Sequence, residues 1–116
     1  MSSNQLALRL ASEPAREATY TQIAAGASSF VGIGTALANP SRKILFQNYT
    51  DVLIIFSDDG VTEKFVLNPG TQFILDISIN QHGDYYAQGT RFYAAQAVGV
   101  PPTTGGVYLS TWYGAS

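Results

Sequence analysis

The feature that most constrains the fold is a series of short β-type runs, each bounded by turn residues, along nearly the whole chain. No segment of convincing length has the 3.6-residue period of a helix. This spacing predicts an all-β protein with one antiparallel β-sandwich, either jelly-roll-like or immunoglobulin-like. The eight runs that we interpret as strands are 19–24, 29–37, 43–48, 52–57, 63–67, 72–77, 91–97 and 107–113.

The first 18 residues stand apart from this pattern. Leu6, Leu8 and Leu10 alternate with other residues and do not fall at helical spacing, and Pro14 would stop a helix. We therefore predict an extended N-terminal arm over residues 1–18, followed by one sandwich domain over 19–116. Such an arm either packs on a neighbouring subunit, through its leucines, or is poorly ordered when the protein is alone.

The most acidic stretch of the chain contains Asp58-Asp59-Gly60. Asp followed by Gly between two strands is a strong turn signal, and Asn68-Pro69-Gly70 predicts a type II turn after the next strand. The spacing of an EF-hand calcium site is absent. We interpret the cluster as a turn and predict no metal and no cofactor. The sequence leaves open whether Asp76, in a later strand, meets Asp58 and Asp59 around an ion.

The charge content of the chain argues against several classes of partner. A net charge of −2 gives no electrostatic footprint for nucleic acid, and no stretch approaches the roughly 20 apolar residues of a membrane helix. Only 12% of residues are charged, against about 25% in ordinary domains. We therefore expect other subunits to cover part of the exterior, and we expect synthesis in the cytoplasm because no signal peptide precedes the chain.

Residues that could carry catalysis are few. His82 is the only histidine, no cysteine is present, and no nucleophile-elbow motif surrounds a serine. We therefore predict that the protein is not an enzyme. Asn48-Tyr49-Thr50 matches the N-glycosylation sequon and is interpreted as incidental.

Aromatic residues are the richest set of candidates for a binding surface. The last run sets Val107, Leu109 and Thr111 on one face of a strand and Tyr108, Ser110 and Trp112 on the other. Because Tyr and Trp are enriched in interface cores, we predict that Tyr108, Trp112 and Tyr113 form a subunit interface. The alternative from another class is a carbohydrate-binding module that uses Tyr85, Tyr86 or Trp112.

Three segments of the chain resemble small β-sandwich structural proteins of tailed bacteriophage virions. They are NPSRKILFQNYTDVLIIFSDDGVTEKFVLNPGTQFILDI, GTRFYAAQ and the closing GGVYLSTWYG. The likeness covers roughly residues 38–114, and its motifs are strand and turn signatures that identify no catalytic residue.

The resemblance implies a role in the virus particle. We expect a capsid decoration or cement protein, with a neck or tail component as the alternative. It implies binding to other virion proteins, such as the major capsid protein, and to other copies of this chain, with a trimer favoured for a decoration protein.

Overall fold

The computed structural model describes residues 9–76 and 86–115, which form nine strands and one short helix. Nearly all regular structure is β, as the sequence predicted. In chain order the elements are β1 (Arg9–Ser12), β2 (Arg16–Thr19), α1 (Tyr20–Ala25), β3 (Val31–Gly32), β4 (Ser41–Asn48), β5 (Ile54–Ser57), β6 (Phe65–Leu67), β7 (Thr71–Asp76), β8 (Tyr93–Gln96) and β9 (Gly106–Ala115).

Two antiparallel sheets pack face to face. The five-stranded sheet has the order β1-β9-β4-β7, with β2 also paired to β9, and the four-stranded sheet has the order β3-β8-β5-β6. Counting β1 and β2 as two halves of one strand gives eight strands. They pair in a nested order: β1 and β2 with β9, β3 with β8, β4 with β7, and β5 with β6. This nested pairing is a jelly roll. The predicted β-sandwich is confirmed, and its jelly-roll form is the one observed.

The core lies between the two sheets and is rich in phenylalanine. Phe46 of β4 and Phe56 of β5 are almost fully buried, with ring centroids 5.7 Å apart in an edge-to-face arrangement. Phe92 approaches Phe46 from the other side at 5.3 Å, also edge to face. Such pairs add to the stabilisation that comes from burial of their apolar area. Leu109 of β9 completes the inner face of the five-stranded sheet.

Part of the predicted arm belongs to the five-stranded sheet. Residues 9–12 and 16–19 are extended, as expected, but they pair with β9 of the same chain. The domain boundary predicted at residue 18 therefore falls within β2. Leu6 and Leu8 lie outside the described residues. The backbone of Leu10 lies opposite Gly114 in the β1–β9 pair, and its side chain is outside the description.

The predicted strand over 19–24 is wrong, because this segment is the helix α1. Thr19 caps the helix: its hydroxyl accepts from the backbone N–H of Gln22, and the Gln22 side chain accepts from the Thr19 N–H at 2.8 Å. This reciprocal pair is a capping box. Ile23 is the only fully buried residue of α1, so the apolar period was too sparse to indicate a helix.

The predicted strand over 29–37 is reduced to the two residues of β3. Two glycines near it leave space for arginine side chains. A Cβ on Gly32 would lie within 2.5 Å of the Arg91 guanidinium, and a Cβ on Gly34, which has φ +64°, would lie 2.8 Å from Cβ of Arg16. Each glycine therefore permits a close approach that a side chain at its position would block. Side chains, not backbone, make that approach.

The acidic stretch is a turn, as predicted. The Asp59 carboxylate accepts hydrogen bonds from the backbone N–H groups of Thr62 (2.7 Å) and Val61 (2.8 Å) and from the Ser57 hydroxyl (2.8 Å). These bonds, led by the one from Thr62, hold the pKa of Asp59 well below its usual range. Gly60 takes a positive φ of 78°, and the turn joins β5 to β6. Within residues 9–76 and 86–115, no group of three or more histidine, aspartate and glutamate side chains is close enough to hold a metal ion.

The predicted turn at Asn68-Pro69-Gly70 is also present, and it carries the chain from one sheet to the other. Gly70 has φ +75°, and the N–H of Thr71 donates to the Asn68 carbonyl at 3.2 Å. Because β6 ends before this turn and β7 follows it, the edge strands of the two sheets lie on the same side of the sandwich.

A buried amide connects β4 to the strands that follow it. The side chain of Asn48 donates to the carbonyls of Val52 and Leu67, each at 2.9 Å, and its oxygen accepts from the backbone N–H (3.0 Å) and the hydroxyl (2.6 Å) of Thr50. Asn48 has no exposed surface. Every hydrogen-bonding atom of this amide therefore faces a partner, as burial of a polar group requires.

A buried ion pair closes the side of the sandwich next to β2. Arg16 donates to the Glu13 carboxylate at 2.6 Å, to the carbonyls of Thr35 and Ala36, and to the Thr111 hydroxyl of β9. Glu13 also accepts from the N–H of Asn39 at 2.8 Å. Burial alone would raise the pKa of Glu13, but the hydrogen bonds, led by the one from Arg16, outweigh it and lower the pKa.

Candidate functional site: the outer face of the five-stranded sheet

Alternate residues of β2, β9, β4 and β7 point away from the core and form a flat surface, which we call the outer face. Strand pairing arranges these residues in three rows. The first row is Glu17, Tyr108, Gln47 and Gln72, flanked by Tyr49; the second is Ser110, Leu45 and Ile74; the third is Trp112, Lys43 and Asp76.

The first row is held by hydrogen bonds among its own side chains. The Gln47 amide donates to the Tyr49 hydroxyl at 2.9 Å and to the Gln72 side chain at 3.3 Å. The rings of Tyr49 and Tyr108 lie 5.8 Å apart. A hydrogen bond to the Glu17 carboxylate raises the pKa of Tyr108, so the phenol keeps its proton. The two tyrosines are thus fixed side by side with polar neighbours at either end.

The second row is the least polar, and the third combines an aromatic ring with charged groups. Leu45 lies between Ser110 and Ile74, and Ile74 is 48% exposed. The ammonium group of Lys43 lies 5.3 Å from the centre of the Trp112 ring, a cation–π contact. Lys43 is also opposite Asp76 in the β4–β7 pair. The face therefore combines aromatic and aliphatic surface with a few charges of both signs.

The structure brings together two of the residues that the sequence singled out. Tyr108 and Trp112 both lie on the outer face, four residues apart on β9, as the alternation in that strand predicted. Tyr113 follows Trp112 and so points to the opposite side of the sheet, beside Ser41 of β4. It does not belong to the outer face.

Sequence reasoning missed Tyr49, Leu45 and Ile74 as members of this surface. Tyr49 stands in a segment that was interpreted as a turn, and it reaches the face because it continues the alternation of Gln47 in β4. Leu45 and Ile74 lie in strands that carry apolar residues on both faces. Their meeting depends on pairing between strands that are far apart in the sequence, and no local pattern reports it.

Of the tyrosines proposed for carbohydrate binding, Tyr86 is not on this face. Tyr86 lies on the inner side of the sandwich, where its ring packs edge to face on Phe92 with centroids 5.1 Å apart. Burial, with a smaller contribution from Asp58, raises its pKa. Tyr85 and His82 lie outside the described residues.

The carboxylates with lowered pKa values have local structural causes. Those of Glu13 and Asp59 are explained by the ion pair and the turn described above. The pKa of Asp51 is lowered chiefly by hydrogen bonds from the side chain and backbone of Thr103, which connect two loops. None of these three residues is part of the outer face, so their lowered pKa values are not features of that face.

Comparison with known proteins adds no relative. No protein-family model matches the chain, and no curated protein and no solved structure matches it either. The described residues contain one helix, α1, which has six residues. It is not long and apolar enough to cross a membrane. Functional inference therefore starts from the geometry of the outer face.

Proposed function

We propose that this chain is a structural protein of a tailed-phage virion, and that it acts by binding other copies of itself and other virion proteins through the outer face. The role that we propose first is capsid decoration or cement. In that role the major capsid protein is the partner and a trimer is the expected assembly. The alternative is a neck or tail component. In this proposal its location is the particle, after synthesis in the host cytoplasm.

The observation that carries the proposal is the composition of the outer face. Its two ends present Tyr108 and Trp112, and its centre presents Leu45 and Ile74. Aromatic and aliphatic residues on a surface with sparse charges are typical of protein interfaces. The few charged groups of the face then define which partner fits and in what orientation.

Two further observations agree with this proposal. The sequence resembles small virion β-sandwich proteins over most of the domain, and the chain folds as a jelly roll. Viral capsid domains commonly use the jelly roll, but lectin domains use it as well. Because a fold does not define a function, the topology supports the proposal only together with the surface.

The test is the native mass of the purified chain by light scattering at micromolar concentrations. Trp112→Ala and Tyr108→Ala should lower the mass of the assembly and leave the unfolding midpoint nearly unchanged, because both side chains are only partly buried. Tyr20→Ala is the matched control, since Tyr20 is exposed on α1 and is not among the residues of the outer face. Loss of folding in Trp112→Ala would assign that residue to the core and contradict the interface.

The assembly size separates the assignments. A closed trimer supports capsid decoration, and a larger ring supports the neck or tail. A wild-type chain that stays monomeric over the whole concentration range contradicts self-association through the outer face.

One observation favours a carbohydrate-binding module as a second candidate. The paired rings of Tyr49 and Tyr108 are flanked by the amides of Gln47 and Gln72, and sugars bind where aromatic faces lie beside amide groups. Trp112, proposed for this role from the sequence, has Lys43 over its ring. Glycan-array binding by the wild-type monomer that is lost in Tyr108→Ala would establish this function in place of assembly.

A further inference from the structure

Within residues 9–76 and 86–115, no strand or helix covers the side of the sandwich formed by β6 and β7, and we call this side open. Between the two edge strands lies a cleft of about 170 Å³, lined by Phe65, Phe73 and Leu75, with Phe46 at its base. Phe73 points into the sandwich and stacks on Phe46, with centroids 6.2 Å apart, yet it remains 42% exposed. An inward-facing phenylalanine with that much exposure shows that neither sheet covers this edge.

The strand β7 is an edge strand of unusual character. It pairs with β4 on one side, and the described residues supply no strand on its other side. Along its six residues only Asp76, at the end, is charged, and both Phe73 and Ile74 are exposed. Natural edge strands are usually blunted by lysine, proline, bulges or inward-pointing charges. The first five residues of β7 have none of these.

The free backbone groups of β7 define the kind of occupant that fits there. About half of the N–H and C=O groups of an edge strand point away from its sheet, and another extended strand satisfies them best. The neighbouring cleft requires apolar side chains at alternate positions of that strand. A partner for β7 is therefore a β-strand that carries apolar residues facing the sandwich.

The sequence of β7 meets these requirements itself. When two copies are related by a twofold axis perpendicular to the sheet, opposing residues must face the same side. The antiparallel register with Ile74 opposite its own symmetry mate places Phe73 opposite the second copy's Leu75, and Gln72 opposite the second copy's Asp76. No like charges oppose each other in this register, and each pair is favourable or neutral. The apolar pairs on the inner side cover the mouth of the cleft.

We propose that two copies of this chain associate through their β7 strands, in antiparallel register centred on Ile74, to form a continuous sheet across a twofold axis. This inference goes beyond the proposed function, because it concerns the edge of β7 and not the outer face as a whole. Ile74 belongs to both surfaces and Trp112 only to the outer face, so Trp112→Ala distinguishes the failure of one proposal from the failure of the other. The twofold contact is isologous: the same edge is used by both copies. In a trimer built through the outer face, such a contact joins two trimers.

The first test compares a charge on β7 with the same charge elsewhere. Ile74→Lys places two ammonium groups opposite each other at the twofold axis and should abolish the β7 contact. Val98→Lys is the control, since Val98 is 85% exposed and far from this edge. Light scattering at 10 to 200 μM, a range chosen to span weak and strong association, should show half the wild-type mass or less for Ile74→Lys, which alters the outer face as well, and wild-type mass for Val98→Lys. Equal masses in all three proteins overturn the proposal.

The second test reports the register directly, because the natural chain has no cysteine. Ile74→Cys should give a covalent dimer on mild oxidation, since directly opposed Cβ atoms lie about 4.5–5.5 Å apart, close to disulfide geometry. Leu45→Cys, on the same outer face but one strand further in, and Val98→Cys should cross-link far less. In a mixture of Gln72→Cys and Asp76→Cys chains, the heterodimer should predominate over either homodimer. Cross-linking of Leu45→Cys as fast as Ile74→Cys would indicate face-to-face packing and overturn edge pairing.

Trp112→Ala separates this proposal from the proposed function, because Trp112 lies on the outer face and not on β7. Trp112→Ala alone should leave a dimer that Ile74→Cys still cross-links, and the double variant Trp112→Ala, Ile74→Lys should be a monomer. If Trp112→Ala alone gives the monomer, the β7 contact does not form on its own and the edge proposal fails. If wild type is a dimer that only Ile74→Lys dissociates, the edge proposal holds and outer-face assembly fails.

Discussion

The two long sides of the sandwich are closed in opposite ways. Next to β2, a buried arginine points inward from a four-residue edge strand and donates to carbonyls of the loop at residues 35–36 and to β9. Next to β7, the edge strand is longer, its apolar residues are exposed, and a cleft runs between the sheets. The first side satisfies its polar groups within the chain, and the second leaves its backbone and apolar groups available to a partner.

This difference shows how the chain separates stability from association. A buried charge on an edge strand prevents another strand from pairing there, because the partner would have to desolvate that charge. A buried charge of this kind on β7 would prevent that strand from pairing with a strand of another molecule, and the protein would not associate through this edge. The predictions below compare matched substitutions on the two sides, which we call the closed side (next to β2) and the open side (next to β7).

The largest effect is expected at Arg16. Arg16→Met removes four hydrogen bonds and leaves the Glu13 carboxylate buried without its cationic partner. Breaking a buried pair in this way costs about 3–5 kcal/mol of unfolding free energy, measured by urea titration. Arg91→Met is the control: Arg91 is exposed and bonds to the neighbouring Gly34 carbonyl, so its loss should cost about 1 kcal/mol or less. Equal losses would show that the closed side is not held by the ion pair.

The next effect compares two phenylalanines that stack on each other. Phe46→Ala empties a fully buried site and should cost about 3–5 kcal/mol. Phe73→Ala, on the open side, should cost about half of that, because its ring already meets solvent in the monomer. The measurement must be made on the monomer, in the Ile74→Lys background, so that association does not add to stability. A larger loss for Phe73→Ala than for Phe46→Ala would mean that the open side is part of the core.

The third effect is a pH dependence that belongs to the closed side. Because the pKa of Glu13 is lower in the folded chain than its ordinary value of 4.5, its carboxylate stabilises the fold above that value. This contribution decreases as the pH falls below 4.5 through the folded-state pKa. Asp51 and Asp59 contribute to the pH dependence of stability in the same direction. The part that belongs to Glu13 is therefore obtained by comparing the wild-type chain with Glu13→Gln. Unfolding free energies of that variant should depend less steeply on pH between 5 and 3, and an unchanged slope would exclude Glu13 as a contributor.

The smallest effect is expected for the ion pair of the open side. Lys64 and Asp58 approach to 3.8 Å at the mouth of the cleft, with half of the lysine side chain exposed. Solvent screens such pairs, so Lys64→Met should change the unfolding free energy by about 0.5 kcal/mol or less. Calorimetry of Lys64→Met and Arg16→Met side by side tests the difference between the two ion pairs. Comparable losses of unfolding free energy would show that the two sides do not differ in this way.

The sequence was informative where structure is local. The turns at Asp58-Asp59-Gly60 and Asn68-Pro69-Gly70 require glycine at positive φ, and both were predicted. The strands β4, β5, β7 and β9 were located from runs of apolar residues, although their exact ends differ. The capping box of Thr19 and Gln22 was also present in the sequence, but the β-type residues Tyr20 and Thr21 beside it led to a wrong strand prediction.

Long-range features could not be predicted in the same way. The jelly-roll order joins strands that are distant in the chain, and several orders satisfy the same alternation. Glu13 and Arg16 have the sequence signature of surface residues, and their burial depends on carbonyl groups from a loop some 20 residues away. The outer face was half predicted: Tyr108 and Trp112 follow from alternation in β9, whereas Tyr49 and Ile74 join them only through strand pairing.

The complete hydrogen bonding of Asn48 has a consequence for production of the protein in a secretory host. Oligosaccharide transfer needs free access to the amide nitrogen of a sequon, and in the native chain that nitrogen donates to Val52 and Leu67 inside the domain. A glycan can therefore be added only before the jelly roll closes. Since sheets with distant pairing fold slowly, glycan occupancy at Asn48 would record the competition between folding and transfer, and modified molecules would be unable to complete the native fold.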